Sequence, residues 1–209
     1  MINNDIGMIL ADTSRSRFYI QSMMRNNLLP SYIIILRNEK DVFLPGQINY
    51  DNDIARDTNP IINDDAWSEI NNNIFESIYT SIEHSDANHK IFETTDIHSS
   101  EVIAEIKDRS ESVFIYSGYG GVILKKEIFD TGKKFLHVHG GYLPNYKGST
   151  TNYYSLIDSE YMGASSLFLN ENIDSGPIIH RRKFNPPVNR KYIDHIYDNA
   201  ARAKVLIET

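Results

Sequence analysis

The 209-residue chain contains no cysteine. Without thiols there is no disulfide framework, no thiolate nucleophile and no cysteine-ligated zinc or iron–sulfur centre. Any chemistry must therefore come from His, Asp, Glu, Ser, Tyr or Lys. The chain also lacks a run of the roughly 18 apolar residues that a membrane helix requires. Its polar start, Met1-Ile2-Asn3-Asn4-Asp5, has neither the basic nor the apolar region of a secretory signal. A cytoplasmic protein with no membrane partner is expected. Positive charge is in short supply: 21 Lys and Arg face 28 Asp and Glu, for a formal net charge of −7. That balance argues against a surface that tracks a phosphate backbone, so nucleic acid is a poor partner. Neither GxGxxG nor GxxxxGK[ST] occurs, and neither a dinucleotide site nor a P-loop is indicated.

What is present is an ordinary globular composition, with 41% apolar and 23% charged residues, and a length that suits one domain over residues 1–209. Apolar runs alternate with amphipathic stretches. Strands are expected at 6–11, 31–37, 90–93, 113–116, 135–139, 165–169 and 178–184, from their β-branched and aromatic content. Helices are expected from Ser14 to Asn27, with Thr13 as N-cap, and over about 66–82, where Ile70, Ile74, Ile78 and Ile82 recur at spacing four. Further helices are expected after Ser99 or Ser100, after Ser149, and along the tail from Arg190, where Ile193, Ile196, Tyr197, Ala200, Ala203 and Ile207 form one stripe. Residues 38–67 read as a polar excursion with Pro45-Gly46 and Asn59-Pro60 as breakers. This alternation predicts an α/β fold with a Rossmann-like, mostly parallel twisted sheet flanked by helices, whose sites lie at the carboxyl ends of the strands.

One stretch stands out against that frame: Phe135-Leu136-His137-Val138-His139-Gly140-Gly141-Tyr142-Leu143-Pro144, answered downstream by Asp174-Ser175-Gly176-Pro177. On a strand, His137 and His139 share a face, while Leu136 and Val138 fill the other register. A carboxylate on a tight turn is a common way to orient or charge an imidazole, which makes Asp174 the natural partner. Upstream, Ser117-Gly118-Tyr119-Gly120-Gly121-Val122-Ile123-Leu124 carries three glycines in four positions, where backbone can approach a ligand closely. Arg15 lies in the first turn of a helix, a place the helix dipole disfavours for a cation, and so is a candidate for an anionic ligand. Lys147, Thr150 and Asn152 follow the His stretch directly and could contact a substrate.

These residues resemble the folate-dependent formyltransferase family, whose pattern is roughly Asn-x-His-x-Ser-x-Leu-Pro-x-x-x-Gly followed by Asp-x-Gly-Pro-Ile. The chain matches it at His139, Leu143-Pro144, Gly148 and Asp174-Ser175-Gly176-Pro177-Ile178. It departs from it at His137, where the family has Asn, and at Gly141, where Ser is usual. The resemblance is close over about residues 110–184 and holds in outline before that. It implies transfer of a formyl group from 10-formyltetrahydrofolate to a primary amine, with an amino sugar or sugar nucleotide as the expected acceptor. It implies His139 as acid/base or polarising group, Asp174 as its partner, His137 as oxyanion donor, and no metal. Tyr119, Gly120, Gly121, Val122, Ile123, Leu124, Asn170 and Asn172 would line the folate pocket. A homodimer is compatible with this reading. Two alternatives stay open: a hydrolase, acting on the same donor or through a metal held by His137, His139 and Asp174, and a non-catalytic folate- or nucleotide-binding relative in which His137 marks lost function.

Overall fold

The computed structural model describes residues 3–38, 67, 72–85 and 87–209. Within these, β1 (Asn3–Ala11) leads into α1 (Ser14–Arg25) and β2 (Pro30–Leu36), and then come α2 (Ile78–Ser85), β3 (His89–Phe92), α3 (Ser100–Asp108) and β4 (Val113–Ser117). A short α4 (Lys126–Phe129) precedes β5 (Lys134–His139), followed by α5 (Thr151–Ser159), β6 (Met162–Phe168), β7 (Ile178–Phe184) and α6 (Asp198–Glu208).

The strands form one sheet in the order β3-β2-β1-β4-β5-β6-β7. The first five are parallel neighbours, whereas β6 pairs antiparallel with both β5 and β7. Alternation along the strands builds two cores. Met8, Leu10, Ile33 and Ile35 point to the face covered by α1, α2 and α6, and Ile9, Ile34, Leu36 and Phe114 to the face covered by α3 and α4. Because both faces are covered, β1 and β2 read as unbroken apolar runs rather than as half-buried alternation. Strand order reverses between β1 and β4, so the open crevice lies at their carboxyl ends. The α/β, mostly parallel expectation therefore holds.

Thr13 caps α1 as expected, its hydroxyl accepting from the Ser16 amide at 3.2 Å. The conflict of cations in that first turn is answered locally. Arg17 binds both Asp12 oxygens, at 2.6 and 2.9 Å, and the Ile74 carbonyl at 2.9 Å.

Among the described residues the helix expected over 66–82 begins at Ile78, with residues 72–77 outside it. Its residues 66 and 68–71, with Ile70, lie outside the described residues, as does the polar excursion between Asn38 and Trp67. The described approach to α2 is a turn because asparagine and glutamine side chains outbid the helix for backbone groups. Gln21 brackets both the amide and the carbonyl of Asn73, and the Asn73 side chain accepts from the Phe75 amide at 3.0 Å. Ser77, whose oxygen accepts from the Thr80 amide at 3.2 Å, is the N-cap. Ile74 still reaches the core from this turn. The tail is likewise less regular than its apolar stripe suggested, with a 3-10 turn at Arg190–Tyr192 and a π turn at Ile193–Tyr197 before α6.

Candidate active site

The carboxyl ends of β1, β4 and β5 bring the sequence candidates together. Across the crevice Arg15 Nε donates to Ser117 Oγ at 3.1 Å and Nη2 to the Gly118 carbonyl at 2.5 Å, while Ser16 Oγ donates to the Ser117 carbonyl at 2.8 Å. The glycine-rich turn after β4 is thus fastened to the start of α1.

His139, at the end of β5, is buried. Its Nε2 lies 2.8 Å from the Tyr146 carbonyl and its Nδ1 3.4 Å from Asp174 Oδ2. A carbonyl only accepts, so Nε2 carries hydrogen, and the Asp174 carboxylate faces the nitrogen that gains a proton when the ring charges. Burial pulls the His139 pKa below that of an ordinary imidazole, and Asp174 opposes the shift. Asp174 sits in the left-handed region at φ 48°, which Asp tolerates better than most residues. It also accepts from the Gly148 amide at 2.8 Å, so it ties the turn after β6 to the turn after β5.

Two residues back, His137 turns its Nδ1 to the Tyr116 carbonyl at 3.2 Å. Burial, with Arg15 and Arg202 next, holds its pKa well below the usual imidazole value. His137 and Asp174 line a cavity of about 110 Å³ together with Val122, Ile123, Leu124, Asn170 and Asn172. Those five are the residues expected to meet the folate. Of the others expected there, Gly120 and Gly121 lie on the exposed turn, and the Tyr119 hydroxyl donates to the Leu36 carbonyl at 3.4 Å. None of these three lines the cavity.

A second cavity, of about 170 Å³, opens past Gly140 and Gly148, with Thr150, Asn152, Asp198 and Arg202 in its wall. Asn152 is buried and fully engaged, donating to Asp198 at 2.7 Å and accepting from the Gly163 amide at 2.7 Å. Thr150 is exposed at φ 56°, and Lys147 is exposed and lines neither cavity.

The sequence reading missed Arg202. It donates to Asp198 at 2.6 Å and to the Val138 carbonyl at 2.8 Å, between the two histidines. The Asp198-Arg202 spacing is that of a helical ion pair, but only the fold brings α6 to the end of β5. Tyr19, buried beneath, has its pKa pushed up to about 12 by desolvation, and its hydroxyl lacks a partner among the described residues. Among those residues no three His, Asp or Glu side chains gather as metal ligands, and no helix is long and apolar enough to cross a membrane.

The chain is an α/β protein with a doubly covered sheet and a His–Asp pair at its carboxyl edge. Residues 58–201 match the model of the Formyl transferase family, and the chain belongs to that family. A methionyl-tRNA formyltransferase from Ruminiclostridium cellulolyticum is 25% identical over 95 residues, 45% of this chain and 30% of that protein. The matched stretch is thus under a third of the relative's length. Among solved structures, a phosphoribosylglycinamide formyltransferase from Streptococcus pneumoniae aligns with a TM-score of 0.62 at 11% identity, covering 99% of this chain and 96% of the other. A sugar N-formyltransferase from a Shewanella species aligns with a TM-score of 0.56 at 13% identity, covering 99% and 68%. At these identities the structural likeness speaks for the fold.

Proposed function

We propose that the protein transfers a formyl group from 10-formyltetrahydrofolate to a primary amine of a small molecule, with an amino sugar or sugar nucleotide as acceptor. The observation that carries the reading is the placement of His139 and Asp174 beside a cavity lined by Val122, Ile123, Leu124, Asn170 and Asn172. In a protein of this family that wall suits the ring end of the donor, apolar on one side and amide-bearing on the other. Its volume of about 110 Å³ is below the roughly 300 to 1,000 Å³ usual for a drug-sized ligand, so the rest of the donor would lie outside it.

When the amine attacks the formyl carbon, negative charge develops on the carbonyl oxygen and a proton must leave the attacking nitrogen. His139, backed by Asp174, is the polarising group for that oxygen, its Nε2–H exchanging the Tyr146 carbonyl for the developing oxyanion. The second cavity, with Gly140 in its wall, offers hydroxyl-binding groups, Asp198 and Thr150, to the acceptor. The net negative charge and the polar wall favour a small acceptor over tRNA.

The test is turnover with 10-formyltetrahydrofolate and a panel of amines that includes amino sugars, sugar nucleotides, glycinamide ribonucleotide and methionyl-tRNA, with product identified by mass. A formylated amino sugar is expected. Formate release at the same rate with and without amine would replace transfer by hydrolysis, and no loss of donor at all would overturn both.

A further inference from the structure

His137 stands where the family pattern has Asn, and its environment assigns its two ring nitrogens opposite duties. Nδ1 lies 3.2 Å from the backbone carbonyl of Tyr116, which can only accept, so the hydrogen of the neutral ring sits on Nδ1. Nε2 then carries a lone pair. It has no protein partner among the described residues, and the side chain forms part of the wall of the 110 Å³ cavity that Asp174 shares. An asparagine at this position could turn its NH2 toward a developing oxyanion. This imidazole offers an acceptor instead.

We infer that His137 serves as a proton acceptor and relay in formyl transfer, taking the proton of the attacking amine on Nε2 rather than donating a hydrogen bond to the oxyanion. The inference rests on the formyl-transfer reading above and specifies one step of it. As the amine nitrogen bonds to the formyl carbon, the carbonyl π pair moves to oxygen and the nitrogen becomes an ammonium, strongly acidic in that position. Its proton passes to Nε2, giving a transient imidazolium. Collapse of the oxyanion breaks the bond to the donor nitrogen, which keeps the electron pair and takes the proton back from His137. The products are the N-formyl amine and tetrahydrofolate, with His137 returned to its starting tautomer.

Surrounding charge suits a transient acceptor. The groups around the ring are Arg15 from α1, Arg202 from α6, Tyr116 from β4, His139 on the same strand and Asp174 from the turn after β6. The two arginines and burial keep the resting ring neutral, so the lone pair is available at neutral pH and the proton, once taken, is readily given up.

Long-range 1H–15N spectra of the intact protein at pH 7 to 8, with the His137 signals assigned by their loss in His137→Gln, report the tautomer without any need for activity. Hydrogen on Nδ1 is expected, and hydrogen on Nε2 would overturn the inference. In turnover, His137→Asn restores the family residue, which donates but cannot relay a proton. A fall in kcat of about 10²- to 10⁴-fold, little change in KM for the donor and loss of the acidic limb of the pH profile are expected. Undiminished turnover by His137→Asn would overturn the relay alone. Absence of formylated product with the unmodified protein would instead overturn the formyl-transfer reading.

Discussion

Gly141 leaves room for His139. A β-carbon at position 141 would stand 2.7 Å from His139 Nε2 and 2.9 Å from the Tyr146 carbonyl, closer than such atoms pack, so a side chain there must displace the imidazole or the turn bonded to it. The hydroxymethyl group usual in the family and the Nε2 contact to Tyr146 exclude each other in this geometry. Gly141→Ser is expected to lower stability by about 1–3 kcal/mol, the usual cost of overpacking. It is also expected to lower kcat/KM at least tenfold by moving His139 from Asp174. Gly141→Ala should do the same, because the clash begins at the β-carbon. Urea denaturation and steady-state turnover check this, and a Gly141→Ser protein of unchanged stability would refute it.

Gly176 is fixed by its neighbour in a different way. Its missing β-carbon would overlap the carbonyl oxygen of Phe168 at the end of β6, which is backbone and cannot swing aside. Gly176→Ala must therefore move the turn that carries Asp174. A drop in stability of roughly 1–3 kcal/mol and a larger loss of turnover than of donor binding are expected from calorimetry and kinetics.

Much of this was legible because local chemistry and tertiary structure agree. The apolar runs of β1 and β2, the Thr13 cap and the His139, Gly148 and Asp174 spacing all work through nearest neighbours or through a pattern the whole family shares. The start of α2 at Ile78 was not legible, since Ile74, Ile78 and Ile82 are all buried as their spacing implied, but Gln21, distant in sequence, fixes the Asn73 backbone. Arg202 was hidden for a related reason. Its contact with the Val138 carbonyl depends on where α6 docks, and helical spacing reports only the pair with Asp198. The tautomer of His137 needed the Tyr116 carbonyl, which belongs to another strand.

Away from the site, Glu111 joins Ser31, at the start of β2, to Arg109, at distances of 2.7 and 3.0 Å. Burial works to raise its pKa, but the hydrogen bonds from Arg109 and Ser31 win and hold it at about 2. A depressed carboxyl contributes stability above its ordinary value of 4.5 that is lost as pH falls toward 2. Glu111→Gln is expected to cost about 1–3 kcal/mol at pH 7, to flatten the acid unfolding curve between those limits, and to leave turnover unchanged. A steep loss of activity in the folded variant would show that the pair reaches the site.

The two site histidines predict a separate window at higher pH. Both are held below the ordinary imidazole pKa, His137 by burial and the arginines, His139 by burial against the pull of Asp174. In the unfolded chain they bind protons near pH 6.5, protons that the folded protein refuses until lower pH. The unfolded state therefore gains, and stability falls as pH drops below about 6.5. The slope is at most about 1.4 kcal/mol per pH unit for each imidazole. Urea midpoints measured from pH 8 to pH 5 should decline in that range, and His137→Asn should remove its share of the decline while leaving the carboxylate window below 4.5 in place. A flat profile across pH 8 to 5 in the unmodified protein would mean that neither imidazole is held neutral, and the lone pair assigned to His137 Nε2 would lose its physical basis.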